Sequence, residues 1–178
     1  MIGLLGGAFD PPHKGHVALA DAAERALGLR EIVVVVVAEP GHKTTHAPAE
    51  ARLAMTRAAF PFRKVVLDHH ARTVDMLREG SWDDAVLLIG ADEFLDFGNW
   101  KEPETVLELA RLGVATRPGY AVAKADPDDR VLFFEVTPVP VSSREIRELI
   151  AGGEPIDGLV PPAVAATIED DGLYRRLD

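Results

Sequence analysis

Residues 32–38 read Ile-Val-Val-Val-Val-Val-Ala, an unbroken run of mostly β-branched side chains. Such residues favour extended backbone. A strand that is apolar on both of its faces must be covered on both, which points to a parallel sheet packed between layers of helices. The surrounding chain fits that demand. Further strands are expected over residues 1–5, 64–67, 85–89, 114–115 and 131–136. Helices are expected over 14–27, 49–60, 73–78, 103–112, 142–150 and 161–170. Strand and helix alternate, and right-handed crossovers turn such alternation into an α/β fold: a Rossmann-like, doubly wound parallel sheet with helices on both faces. The 178 residues suit one domain spanning 1–178, with a C-terminal helical part from about 142 to 178. Residues 119–130 are charged and read as an exposed loop.

In open sheets of this kind ligands sit beyond the carboxyl ends of the strands. The loops after the first four strands are then the places to search: residues 6–16, 39–43, 69–73 and 90–100. The unusual polar residues of the chain collect there. Composition narrows the partners. There is no cysteine, which removes disulfides, thiolate metal sites and cysteine nucleophiles and fits a cytoplasmic setting. The net charge of −10 opposes nucleic-acid binding by the chain as a whole, while leaving room for a small anion in a locally basic cleft. No apolar run is long enough to span a bilayer, and no basic stretch precedes a signal-like segment, so no membrane role is expected.

The first loop reads GGAFDPPHKGH. Gly6 and Gly7 allow a sharp turn and a close ligand approach. Pro11 and Pro12 stiffen the rest of the loop. A helix starting near His13 or Lys14 aims its N–H groups and positive dipole end into the same space. His13 and His16 are three residues apart and share a helix face, with Gly15 leaving room between them. Main-chain donors and two imidazoles suit a polyphosphate. The loop lacks the Gly-Lys-Ser/Thr of a Walker A site. A plain glycine turn bearing two half-exposed histidines is the alternative. A zinc site is another, but no third ligand lies nearby in sequence.

A second stretch, VSSREIRELI, begins at Val141. Ser142 followed by Glu145 fits a helix cap, which is the ordinary use of such a pattern. The same helix start would also offer Ser142, the Ser143 hydroxyl, main-chain amides and Arg147 to phosphate. In the fourth loop Gly90 permits close approach, Asp92 suits ribose hydroxyls, and Trp100 offers a flat face for stacking. As core packing and a helix cap, the last two would carry no chemistry.

GGAFDPPHKGH resembles the first signature of the nucleotidyltransferase superfamily, a His-x-Gly-His after a glycine-rich turn. The chain is most similar to the bacterial nicotinate-nucleotide adenylyltransferases, and the likeness runs over nearly its whole length. VSSREIRELI resembles their late Ser-Ser-Thr-x-x-Arg signature, with Arg144 in place of Thr; Ala8 likewise stands where Thr is common. Arg52, Leu53 and Met55 match the family's Arg-Leu-x-Met, with Arg52 expected to be structural. ARTVDML matches at Thr73, Asp75 and Leu77, with Arg72 where the family usually has Tyr. The closing LVPPAVAATIEDDGLYRRL also matches.

The resemblance implies ATP contacts from Gly6, Gly7, Ala8, Phe9, His16, Gly90, Asp92, Arg117, Ser142, Ser143 and Arg147. It implies acceptor contacts from Lys43, Arg72, Thr73 and Trp100, and catalysis by His13, His16, Lys43 and Arg147. It implies transfer of AMP from ATP to nicotinate mononucleotide in NAD biosynthesis, giving deamido-NAD and pyrophosphate. Mg²⁺ is expected to travel on the ATP phosphates, with no metal bound by the protein itself. The partners would be ATP and the mononucleotide, with no nucleic acid and no membrane, and with a homo-oligomer left open. Nicotinamide mononucleotide or phosphopantetheine as acceptor, and a nucleotide-binding regulator without turnover, are the competing readings.

Overall fold

The computed structural model describes residues 1–41, 44–117 and 130–175. Six strands, β1 (Ile2–Gly7), β2 (Glu31–Val37), β3 (Lys64–Asp68), β4 (Ala85–Gly90), β5 (Arg111–Thr116) and β6 (Val131–Glu135), form one sheet in the order β3-β2-β1-β4-β5-β6. Every neighbouring pair is parallel. Seven α-helices accompany them among the described residues: α1 (Lys14–Leu27), α2 (Ala49–Ala59), α3 (Thr73–Glu79), α4 (Ala91–Leu95), α5 (Pro103–Leu109), α6 (Ser143–Ala151) and α7 (Pro162–Asp170). The expected doubly wound α/β architecture is the observed one.

The valine run explains the layering. Side chains alternate across a strand. Val33 and Val35 therefore enter one core with Leu4, Val74, Leu77 and Val106. Val34 and Val36 enter the other, with Leu5, Leu53, Ile146 and Val164. All four valines are 2% exposed or less, and full burial of such a side chain stabilises by about 2 kcal/mol. α6 and α7 contribute to the same core as β2, and α7 packs against α2. α1 ends at Gly28, whose φ of 60° closes the helix in a conformation that side chains resist.

The first strand runs on through Gly6 and Gly7, which the sequence reads as a turn, because both pair with β2; the other main boundary difference lies between α5 and β5. The helix expected over 103–112 stops at Leu109, and the strand expected at 114–115 begins at Arg111. Leu112 and Val114 are fully buried in the same core as Val106, and pairing with β4 decides the matter over helical periodicity. The short helix α4 and the 3₁₀ turn Phe97–Asn99 lie where the sequence reads as loop. The expected loop 119–130 falls almost wholly outside the described residues.

The strand order reverses direction between β1 and β4, which are neighbours. Crevices open at such switch points, outside the carboxyl ends of the strands. The 6–16 segment at the end of β1 and the 90–92 segment at the end of β4 flank that point.

Candidate active site

β1 ends at Gly7, and the backbone then turns through Phe9 at a φ of 50°. The buried Phe9 ring lies edge-on to His16, with centroids 5.0 Å apart, and to Phe60 at 6.3 Å. It wedges the loop against the core and fixes one side of His16.

His13 is the N-cap of α1 and His16 is the third residue inside it. The His13 main-chain N–H donates to Nδ1 of His16 at 3.2 Å. His16 thus fills the role that Glu or Gln takes in a capping box. Because Nδ1 accepts, the proton of a neutral His16 sits on Nε2, making that atom a donor. The His13 ring stacks on the His16 ring, centroids 3.7 Å apart and 30° between planes. Burial lowers the His13 pKa to about 4. His13 is therefore an uncharged ring at neutral pH, and its buried Nδ1 has no partner among the described residues. A Cβ at Gly15 would lie 3.0 Å from both Cε1 and Nδ1 of His13, so a side chain there would press on the ring.

The first turn of α1 offers fewer open amides than its position suggests. Lys14 N–H donates to the carbonyl of Leu159, and His16 N–H to the carbonyl of His13, each at 3.0 Å.

α6 is brought against this loop from the far end of the chain. Ser142 caps α6 by accepting from the Glu145 N–H at 3.1 Å. The Ser143 hydroxyl donates to the Pro11 carbonyl at 2.8 Å, and Arg147 Nη1 donates to the Asp10 carbonyl at 2.7 Å. The two hydroxyls expected to meet phosphate are thus engaged in capping α6 and docking it. Arg144 forms a surface pair with Glu148 at 2.8 Å, so its long side chain turns along the helix.

Arg52 is structural, as expected. It is 1% exposed. Its guanidinium donates to four carbonyls: Ala47 at 3.1 Å, Ala8 and Val37 at 2.8 Å, and Ala38 at 2.6 Å. One cation thereby stitches the ends of β1 and β2 to the start of α2.

Gly6 and Gly7 close β1, and Ala8 is held through its carbonyl. Gly90 N–H donates to Glu93 at 2.8 Å, with Asp92 exposed in the first turn of α4. Arg117 follows β5 and is exposed. On the acceptor side, Arg72 is the N-cap of α3 and Thr73 its first residue. The Arg72 guanidinium carbon lies 3.6 Å from where a Cβ on Gly41 would stand, which sets it beside the β2–α2 loop. Trp100 is half-buried against Phe97, centroids 5.4 Å apart. Lys101 reaches Asp75 at 3.0 Å, tying the Trp100 segment to the helix that Thr73 begins. Lys43 lies outside the described residues.

Asp10 is a site residue that sequence reasoning misses. It is 4% exposed and accepts from the main-chain N–H groups of His46 at 2.7 Å and Ala47 at 3.0 Å, and from the Tyr174 hydroxyl at 2.8 Å. Its partners are remote in sequence, so no local pattern marks it.

Known proteins are similar to this chain in sequence and in fold. The family described as "Cytidylyltransferase-like" matches residues 4–149. A Thermus thermophilus protein named "Probable nicotinate-nucleotide adenylyltransferase" is 41% identical over 98% of this chain and 99% of its own. A Bordetella avium protein of the same name is 38% identical over 98% of each. Among solved structures, Plasmodium falciparum nicotinic acid mononucleotide adenylyltransferase complexed with NaAD superposes with a TM-score of 0.78 at 18% identity, covering 97% of this chain and 96% of the other.

Proposed function

The chain belongs to the cytidylyltransferase-like family, in the branch of the nicotinate-nucleotide adenylyltransferases, and on that premise we propose that it transfers AMP from ATP to the 5′-phosphate of nicotinate mononucleotide. The products are deamido-NAD and pyrophosphate. The observation that carries this reading is the stacked His13–His16 pair at the β1/β4 switch point, with α6 docked beside it through Ser143 and Arg147.

In the reaction an oxygen of the acceptor phosphate forms a bond to the α-phosphorus of ATP, and the bond from that phosphorus to the β-bridging oxygen breaks. The acceptor oxygen already bears negative charge, so no general base is required. The work left to the protein is to align two anions and to stabilise charge on the α-phosphoryl group and the departing pyrophosphate. His16, through Nε2–H, serves the phosphoryl oxygens. His13 supports it as a neutral ring. Arg147 supplies fixed positive charge at the triphosphate, with Arg117 and the start of α6 beside it. Gly6, Gly7, Ala8 and Phe9 shape the floor, and Gly90 with Asp92 takes the adenylate ribose. Lys43 serves the acceptor phosphate, while Thr73 and Trp100 hold the pyridine ring. Among the described residues no group of three His, Asp or Glu side chains could hold a metal; Mg²⁺ is proposed to arrive on the ATP phosphates, where it neutralises their charge. No helix among the described residues is long and apolar enough to cross a membrane, and a cytoplasmic setting fits this reading.

Arg72 favours the acid over the amide. It places a cation beside the acceptor loop, where a pyridine carboxylate gains a charge-assisted partner and a carboxamide does not. Arg72→Gln tests this. Its kcat/KM for nicotinate mononucleotide is expected to fall about tenfold while any rate with nicotinamide mononucleotide stays within about twofold. An equal change for both acceptors would remove Arg72 from the specificity role.

A further inference from the structure

Three distant segments converge on one carboxylate. Asp10 Oδ2 accepts from the His46 N–H and lies 3.3 Å from the His46 Nδ1; Oδ1 accepts from the Ala47 N–H and the Tyr174 hydroxyl. Arg147 Nη1 stands 4.0 Å from Oδ2 while donating to the main-chain oxygen of the same residue. Asp10 is 4% exposed. Burying a carboxylate is costly unless donors and countercharge surround it, and apolar residues of similar size often fill such space as stably. What a carboxylate adds is geometry: two acceptor-only oxygens that here seat three donors, the His46 and Ala47 N–H groups and the Tyr174 hydroxyl, in fixed directions.

Backbone conformation gives a second, independent sign. Phe9, next to Asp10, has a φ of 50°, and Tyr174 has a φ of 63°. Non-glycine residues hold such angles only where their surroundings over-determine them, and such strain gathers at functional sites. Here both strained residues border the same carboxylate. Phe9 in turn carries the His16 ring, and Pro11, on the other side of Asp10, takes the Ser143 hydroxyl.

We propose that the Asp10 carboxylate, latched by the Tyr174 hydroxyl, is a positioning residue for group transfer, holding the β2–α2 loop in register with the His13–His16 pair and Arg147. The inference rests on the adenylyl-transfer reading of this site and extends it to the C-terminal segment. Neither Asp10 nor Tyr174 touches substrate in this account; both act through the loop at residues 44–47.

The test combines a double-mutant cycle with amide hydrogen exchange. Asp10→Asn turns one acceptor oxygen into a donor facing other donors, and Tyr174→Phe removes a single hydroxyl from a half-buried ring. Asp10→Asn is expected to lower kcat about thirtyfold and Tyr174→Phe about fivefold, with the double variant no slower than Asp10→Asn alone. In both single variants the amides of residues 44–47 should exchange about tenfold faster, while those of 33–36 keep their parental rates. Losses that multiply, a kcat within about twofold of the parent in folded Tyr174→Phe, or exchange that quickens evenly across the sheet would each overturn the proposal. Exchange needs no acceptor, so an enzyme inactive with nicotinate mononucleotide would refute the acceptor assignment while leaving the latch to be judged by residues 44–47.

Discussion

His13 and His16 are joined twice: the main-chain N–H of His13 donates to Nδ1 of His16 at 3.2 Å, and their rings stack with centroids 3.7 Å apart. The first link fixes the tautomer of His16. The second sets the two rings face to face, while burial alone keeps His13 uncharged. In the proposed reaction His16, so placed, would donate a hydrogen bond to phosphoryl oxygen rather than exchange a proton with it.

The charge state of His13 makes stability depend on pH. Its pKa falls from 6.5 to about 4 on folding, so between those values the unfolded chain binds the proton and the folded one does not. Stability is therefore lost as pH falls through that window, by about 3 kcal/mol in all from this residue. Thermal melts from neutral pH down through that window should show a steeper decline for the parent than for His13→Gln. Parallel declines would show that His13 does not carry the effect.

Replacing His16 by Ala removes both the proposed phosphoryl donor and the acceptor that caps α1. Turnover is expected to fall about 10²- to 10³-fold, within the range for a lost electrostatic donor. The unfolding free energy should drop by only about 1 kcal/mol, as for a lost cap. Steady-state kinetics and denaturant titration read the two effects separately.

Gly15→Ala separates activity from stability. Alanine favours helix over glycine by about 1 kcal/mol, yet its Cβ would stand 3.0 Å from the His13 ring. The ring must shift by a few tenths of an ångström, and the stack shifts with it. Stability should stay within about 1 kcal/mol of the parent while kcat falls about tenfold. Unchanged kcat would show that the ring spacing is not critical.

Arg52→Leu is expected to be among the most damaging changes in the molecule. Four carbonyls at the ends of β1, β2 and the start of α2 lose their donor at once. Unpartnered buried acceptors cost about 1–3 kcal/mol each, so the variant should unfold at much lower denaturant or fail to accumulate as folded protein. A near-parental denaturation midpoint would contradict the role given to Arg52.

The sheet is legible in the sequence because its evidence is local: five valines in a row mark a strand buried on both sides. The glycine–histidine loop and the Ser142 cap are legible for the same reason, since spacing alone places their atoms. The start of β5 is not, because Arg111 and Leu112 continue a helical pattern and only pairing with β4 overrides it. Asp10 escapes a sequence reading because its partners lie at His46, Ala47 and Tyr174. The use of the Ser143 hydroxyl escapes it too, its acceptor being Pro11 at the other end of the chain. Arg144, an unexplained departure in sequence, proves to be half of a surface ion pair with Glu148.

The central claim is tested most directly by offering the purified protein ATP and Mg²⁺ with either nicotinate mononucleotide or nicotinamide mononucleotide, and measuring dinucleotide and pyrophosphate together. The account predicts equimolar deamido-NAD and pyrophosphate, with kcat/KM at least about tenfold higher for the acid. Equal rates or a preference for the amide would contradict the acceptor assignment. Bound ATP with no product from either acceptor would contradict the proposed reaction.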